Sequence, residues 1–582
     1  ARLYLRDAKG ERLFLDPVVV GGDELASFGA VEFSADCRRI SVQVSTGGAE
    51  AGRVILFDVA SGTPIGQPIE RIWGEFPVSF IGNDKVLYTQ MAADPGANDA
   101  MLGMTSYIAP IGGGTPVQVL GNGMMVGPEN FPIVVALEGE PFAVGVAAGA
   151  RSDNQFYLAP AASLLAGAPV WRKVIGLEDK VGLAMPRGRE LFALSTKDNP
   201  AGAILRHPLA ADGTPGAAET VFAGAPDRLL RGFLVTRDGV YVQTTRDGAA
   251  HLFFLRDGRG PAEEIALPFE GSIFALASDA DGAGISFALT GWAQGLTAFH
   301  AAGGKLIDPG LGSQVWDGAQ GIAAMRTEAV SKDGTRVPMV VLRRRGASGR
   351  TPTIVDAYGG YGIDTAAPYY ARNEMAWLDK GGAFAFCGTR GGGERGRDWH
   401  EGGRGPNKPR GMEDLAACAR QLTAMGVAPE QGPIVSSASM GGTLVPTAAL
   451  SDPGAFGGMI TRVGIVNATR IAAAENGANQ FAEIGNPDNP QQFRDLLAMD
   501  AYQMIPAAAP PVPTMMVVGL NDRRVVPWMT AKWVARARAK WPDAPIYLRG
   551  DTDAGHGVGS AEDVRRSEAA DLYAFAWSQQ SR

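Results

Sequence analysis

The sequence predicts two domains of different architecture: an N-terminal all-β domain over residues 1–326 and a C-terminal α/β domain over residues 327–582. Three observations carry this prediction. At 582 residues the chain is too long for a single hydrophobic core. Its first half repeats short apolar runs broken by Gly, Asp and Asn, whereas its second half alternates compact apolar runs with stretches at helical spacing. With 46% hydrophobic and 20% charged residues, the composition is that of a globular chain.

In the first half, residues 29–44 read as strand, turn, strand, and residues 233–244 repeat the scheme around Asp238-Gly239. Residues 252–258 and 274–290 supply further strands ending on Asp-Gly or Asp-Ala-Asp-Gly turns. Asp-Gly between alternating apolar residues is a strong hairpin signal. Four-strand units of about 45 residues each predict a seven-bladed β-propeller over this length. A pair of β-sandwiches is the alternative. No constellation in this half carries chemistry, and His207, His251 and His300 are read as ordinary surface or packing residues.

In the second half, residues 337–342, 353–358, 383–387 and 514–519 are strand-like, and residues 412–425 and 529–540 are helical. Alternating strand and helix imply a mostly parallel sheet covered on both faces. Ligands on such sheets bind beyond the carboxyl ends of the strands, so residues just after strands matter most. Ser439 follows the run 433–435 and precedes Gly441, Gly442 and an apolar segment. This strand, tight turn and helix match the G-x-S-x-G nucleophile turn, with Ser437 replacing the first glycine. Pro446, soon after, is expected to kink the helix. Asp522 follows the strand 514–519, and His556 lies in a glycine-rich loop, 553–559, after the strand 546–548. His556 is the only histidine after Ser439, and the order Ser, Asp, His is that of α/β-hydrolases. A serine hydroxyl needs a neutral imidazole to take its proton, and a carboxylate to fix the imidazole tautomer.

Other classes are disfavoured. A net charge of −8 argues against nucleic acid as a partner. The most apolar long stretch, 504–520, is broken by four prolines, so no membrane insertion is expected. The five histidines show no metal-ligand spacing, and neither a metal nor another cofactor is called for. Cys37, Cys387 and Cys418, odd in number and far apart, are read as buried free thiols. A peptide-sized partner and a monomer are expected. The compartment, cytoplasm or periplasm, is left open.

Several separated stretches resemble the prolyl oligopeptidase family of serine peptidases: Lys332-Asp-Gly-Thr-Arg-Val-Pro-Met339, Tyr358-Gly-Gly-Tyr-Gly362, Arg390-Gly-Gly-Gly-Glu-Arg-Gly396 followed by Trp399-His-Glu-Gly-Gly403, Ser439-Met-Gly-Gly442, Asp522-Arg-Arg-Val-Val-Pro527 and Ala554-Gly-His-Gly557. Leu13-Phe-Leu-Asp-Pro17 resembles the family's first propeller strands. The resemblance implies a propeller capping an α/β-hydrolase, with the active site between them. By position it implies Ser439 as nucleophile, His556 as base and Asp522 as its orienter, with the Tyr358 hydroxyl and the Met440 N–H as oxyanion hole. Arg524 resembles the family's binder of a substrate carbonyl, and Tyr361 and Val525 its pocket lining. Gln480 stands where proline-specific members carry a stacking tryptophan, which an amide cannot replace. The glycines of 390–396 are expected to shape a loop beside the site. The implied activity is amide hydrolysis in small or compact peptides, with specialisation as an isopeptidase opening lasso peptides. The alternatives are a prolyl endopeptidase, an acylaminoacyl peptidase or esterase, and a peptide-binding propeller protein with a vestigial hydrolase.

Overall fold

A computed structural model of the chain describes residues 2–7, 10–94, 97, 100–278, 282–557 and 560–581. The turn residues 279–281 of one expected hairpin, and Val558 and Gly559 of the histidine loop, lie outside the described residues.

Among the described residues the first domain is a propeller of six blades rather than seven. Five blades are four-stranded antiparallel sheets and one, Ser79 to Val126, has five strands; the remaining strands, Leu3–Asp7 and Gly10–Leu15, form only a two-stranded hairpin. The count differs because the repeats are unequal. The second blade is lengthened by the connection between Gln90 and Thr105, which a division by average repeat length cannot register. Apolar residues of consecutive blades pack face to face, as Val54 and Leu56 do against Val86 and Tyr88. Burying each such side chain contributes about 1.5–3 kcal/mol. Buried polar residues on alternate positions find partners: Ser41 donates to the Val78 carbonyl and Gln43 to that of Ile72.

The second domain is built on an eight-stranded sheet. Its strands are β1 (Ile322–Val330), β2 (Arg336–Arg344), β3 (Thr353–Asp356), β4 (Ala383–Cys387), β5 (Ile434–Ala438), β6 (Gly458–Arg462), β7 (Thr514–Gly519) and β8 (Ile546–Asp551). They lie in the order β1-β2-β4-β3-β5-β6-β7-β8. The neighbours β1–β2 and β2–β4 are antiparallel and the rest parallel. The expected domain boundary at residues 326/327 falls inside β1.

The period of two within each strand separates two cores. Val341, Val355, Cys387 and Val435 face one, while Leu342, Ile354, Phe386 and Ile434 face the other. The first core is covered by α2 (Lys408–Ala424), α3 (Val445–Ser451) and α4 (Trp528–Lys540); the second by α1 (Arg372–Asp379) and α5 (Glu562–Gln580).

The cysteine reading is corrected in two respects. Cys387 at the end of β4 and Cys418 on α2 form a disulfide, and Cys37 is exposed. Packing of α2 on the sheet brings together two residues 31 apart in sequence, a closeness that spacing cannot reveal.

Candidate active site

The elbow at Ser439 follows from the backbone. β5 ends at Ala438, and Ser439 is held at φ +55°, a left-handed conformation that a non-glycine residue adopts only when its surroundings impose it. The chain then enters a 3-10 turn, Ser439–Thr443, before α3. A Cβ on Gly441 would come within 2.6 Å of that of Ser437, and one on Gly442 within 2.4 Å of the Ile465 nitrogen, so both glycines are sterically required. Pro446 stands in the first turn of α3, where its missing N–H costs no helical hydrogen bond. It starts the helix rather than kinking it.

The loops after β5, β7 and β8 bring three side chains together. His556 Nε2 lies 2.9 Å from Ser439 Oγ, and His556 Nδ1 lies 2.7 Å from Asp522 Oδ2. The other Asp522 oxygen accepts the N–H groups of Arg524 and Val525, both at 2.9 Å. Asp522 is buried, so its carboxylate is fixed by three hydrogen bonds and the imidazole by two. The Tyr358 oxygen interacts with the Ser439 hydroxyl and the Met440 N–H. Burial raises the Tyr358 phenol above its ordinary range against the opposing pull of those bonds, so it is held as a donor.

Ser439, Tyr358, Tyr361, Gln480, Val525 and Arg524 all line one cavity of about 440 Å³ between the domains. The propeller contributes Trp73, Glu75, Phe76, Met101, Phe131 and Arg151, among others, to its wall. Gln480 is buried and its amide oxygen accepts from the Tyr361 hydroxyl, so this wall carries a polar pair where a stacking ring was at issue. Arg524 does not stand free for a substrate. Its Nε donates to Glu50 at 2.8 Å, its Nη1 to Glu75 at 2.6 Å, and its guanidinium carbon lies over the Trp73 ring. Burial raises the Glu50 carboxyl, the Arg524 charge opposes this, and Glu50 Oε1 is buried without a hydrogen-bond partner among the described residues.

Sequence reasoning missed these propeller acids, because nothing in their local pattern distinguishes them from turn carboxylates. It also missed the group under the tyrosine loop. Lys408, fully buried, donates to the Gly359 carbonyl at 2.8 Å and to Glu483 at 3.2 Å, and His400 Nε2 contacts the second Glu483 oxygen at 2.8 Å. Burial alone would raise Glu483; the Lys408 charge and the His400 bond outweigh it and hold the carboxyl below its ordinary range. The signature around Trp399-His400 was visible, but its pairing with Glu483 was not. Arg390 is turned away from the cavity: it chelates buried Asp414 on α2 and reaches Asp333, anchoring its glycine loop.

The propeller also braces the loops that carry Asp522 and His556. Asn521 donates to the Gly47 carbonyl at 2.8 Å, and a Cβ on Gly48 would lie 2.5 Å from the Gly555 nitrogen, beside His556.

Residues 368–581 match the model of the prolyl oligopeptidase family. Over 99% of its length the chain is 25% identical to a prolyl endopeptidase of Elizabethkingia miricola, covering 82% of that protein. The chain is thus similar to the prolyl oligopeptidase family of serine peptidases over its hydrolase domain, and to prolyl endopeptidases along nearly its whole length. Over 42% of its length it is also 31% identical to a dual function macrocyclase-peptidase of Amanita bisporigera, covering 34% of that protein. A solved prolyl endopeptidase superposes with a TM-score of 0.90 at 22% identity, spanning 100% of this chain and 86% of the other. Prolyl oligopeptidase B of Galerina marginata superposes at 0.87 with 19% identity, over 99% and 83%. The structural likenesses establish the two-domain fold of this chain.

Proposed function

We propose that this peptidase hydrolyses an amide bond in small or compact peptides through an acyl-enzyme formed on Ser439. The observation that carries the reading is the unbroken chain from Ser439 Oγ through the His556 ring to Asp522, opening on a cavity shared by both domains. As Ser439 attacks the carbonyl carbon, His556 Nε2 takes the hydroxyl proton and Asp522 stabilises the imidazolium. The oxyanion develops toward the Tyr358 hydroxyl and the Met440 N–H. His556 then protonates the leaving amine, and water repeats the sequence to release the acid. The propeller acts as a size filter over a cavity that excludes folded proteins.

Within this reading the preferred substrate is a compact or threaded peptide, with opening of a lasso peptide at its isopeptide bond as the specialised case. The Gln480–Tyr361 pair supports it, because a hydrogen-bonded amide stands where a tryptophan would stack on a proline ring. A prolyl endopeptidase is the second reading, favoured by similarity to prolyl endopeptidases along nearly the whole chain. The test is mass spectrometry of products from a mixed library of linear, prolyl, cyclic and threaded peptides. Wild type should cut peptides and leave folded proteins intact, and Ser439→Ala should lose about 10⁴-fold or more of the rate. Unchanged turnover in Ser439→Ala would refute the nucleophile assignment. Failure of wild type to react with a fluorophosphonate would instead revive a binding protein with a vestigial hydrolase.

A further inference from the structure

Three charged side chains line the catalytic cavity: Glu75, Arg151 and Arg524. Arg524 is bound by Glu75 and by Glu50 behind it. Arg151 has no such partner. It stands in the turn between two strands of the third blade, Phe142–Ala148 and Gln155–Pro160. Its Nε donates to the Asp153 main-chain carbonyl at 3.0 Å and its Nη2 to the Asn130 side-chain oxygen. It makes no ion pair among the described residues. The Asp153 carboxylate, two residues on, is taken by Arg397 at 2.5 and 2.8 Å. Glu129 is exposed and contacts the Asn130 amide; its charge and that of Asp153 favour the Arg151 cation and Arg404 opposes it, but neither carboxylate forms an ion pair with it among the described residues.

A guanidinium offers five N–H donors in a planar fork, and among the described residues no hydrogen bond engages the Nη1 pair of Arg151. The group is half-buried beside apolar side chains such as Phe76, Phe131 and Ile133. Burial accordingly lowers its affinity for its own proton. A desolvated cation without a counter-ion is costly, and an incoming anion relieves that cost through charge-assisted bonds. One planar fork matches a carboxylate better than a phosphate dianion, for which a single cation is a poor counter-charge.

We propose that Arg151 is a carboxylate-binding subsite of the catalytic cavity. The peptidase thereby selects peptides that carry a carboxylate, from an acidic side chain or a free C-terminus, placed to reach the third blade while the scissile carbonyl rests at Ser439. This inference deepens the peptidase reading and rests on it.

The test uses N-acetylated peptides in which one Asp, or one Asn in its place, is stepped along the chain, each made as C-terminal acid and as C-terminal amide. Rates are measured with wild type, Arg151→Met, Arg151→Lys and Arg151→Glu. In parallel, binding of the same peptides to Ser439→Ala and to Ser439→Ala/Arg151→Met is measured by calorimetry. A preference of about 10- to 100-fold for the carboxylate over its amide is expected at one register, the worth of a charge-assisted hydrogen bond. It should vanish in Arg151→Met and persist in part in Arg151→Lys. In Arg151→Glu it should reverse in favour of Lys-bearing peptides. Dependence on Asp position identifies an acidic side chain; dependence on the terminus identifies the C-terminal carboxylate. Equal handling of acid and amide by wild type at every register, or an unchanged preference in Arg151→Met, overturns the proposal. Acid-selective binding to Ser439→Ala without cleavage by wild type would sustain the subsite and overturn the peptidase reading instead.

Discussion

Two side chains illustrate how single residues set the chemistry. Tyr358 is held protonated by burial, so the phenol remains a donor through the pH range in which an exposed tyrosine would. Replacing it with phenylalanine should lower kcat by about 10²- to 10³-fold with little change in KM, measured on any cleaved peptide. Because the shift is upward, any alkaline loss of rate caused by Tyr358 ionisation should begin only above the ordinary tyrosine value of about 10. Lys408 acts one step further out. Its buried ammonium holds the Gly359 carbonyl and so the loop bearing Tyr358. Lys408→Met leaves Glu483 buried beside His400 without its cation, and should cost about 3–5 kcal/mol in denaturant unfolding. Adding Glu483→Gln should recover part of that loss, since the penalty lies in the unpaired charge rather than in the missing bond.

At the scale of elements, the β4–α2 corner is fixed twice, by the Cys387–Cys418 disulfide and by the Arg390–Asp414 chelate. Cross-linking residues 31 apart restricts the unfolded chain by about 3–4 kcal/mol on a chain-entropy estimate. Unfolding with and without reductant should reveal a difference of that size, and Cys387→Ala/Cys418→Ala should show none. A second element-level device lies where the propeller meets the loop after β3. Arg231 bonds Asp364 at 2.9 Å and the Gly393 carbonyl at 3.0 Å, and Glu394 Oε2 is buried nearby without a hydrogen-bond partner among the described residues. Burial first, and the Asp364 charge second, raise the Glu394 carboxyl well above the ordinary range. A carboxyl raised in the folded state keeps its proton after the unfolded chain has lost its own. Stability should therefore fall as pH rises from about 4.3, the ordinary glutamate value, toward the folded-state value. Thermal unfolding across that range should show the decline in wild type, and Glu394→Gln should flatten it.

Considered whole, the molecule is one in which the loops of the proposed triad are finished by the other domain. Arg524 with Glu50 and Glu75, Arg397 with Asp153, Arg326 with Glu270, and Asn521 with the Gly47 carbonyl all cross the interface. Gly48, at φ +72°, presses on Gly555 next to His556. Gly48→Ala strains the backbone and pushes on the histidine loop from far away in sequence. A displacement of about 1 Å at the imidazole is enough to lower kcat/KM about 10²-fold, with the lower rate appearing in steady-state assays and not in the melting of the hydrolase core.

Local chemistry in the sequence determined the alternation of strand and helix after residue 327, the turn at Ser439, and the order in which serine, aspartate and histidine arrive at strand ends. Each of these is a short-range pattern of side-chain size, glycine and periodicity, legible within a dozen residues. Tertiary structure alone decided the number of blades, the disulfide, the capture of Arg524 by Glu50 and Glu75, the burial of Lys408 with Glu483 and His400, and the solitude of Arg151. Those depend on which surfaces the two domains press together, and a charge acquires its partner, or lacks one, only when distant segments exclude water around it.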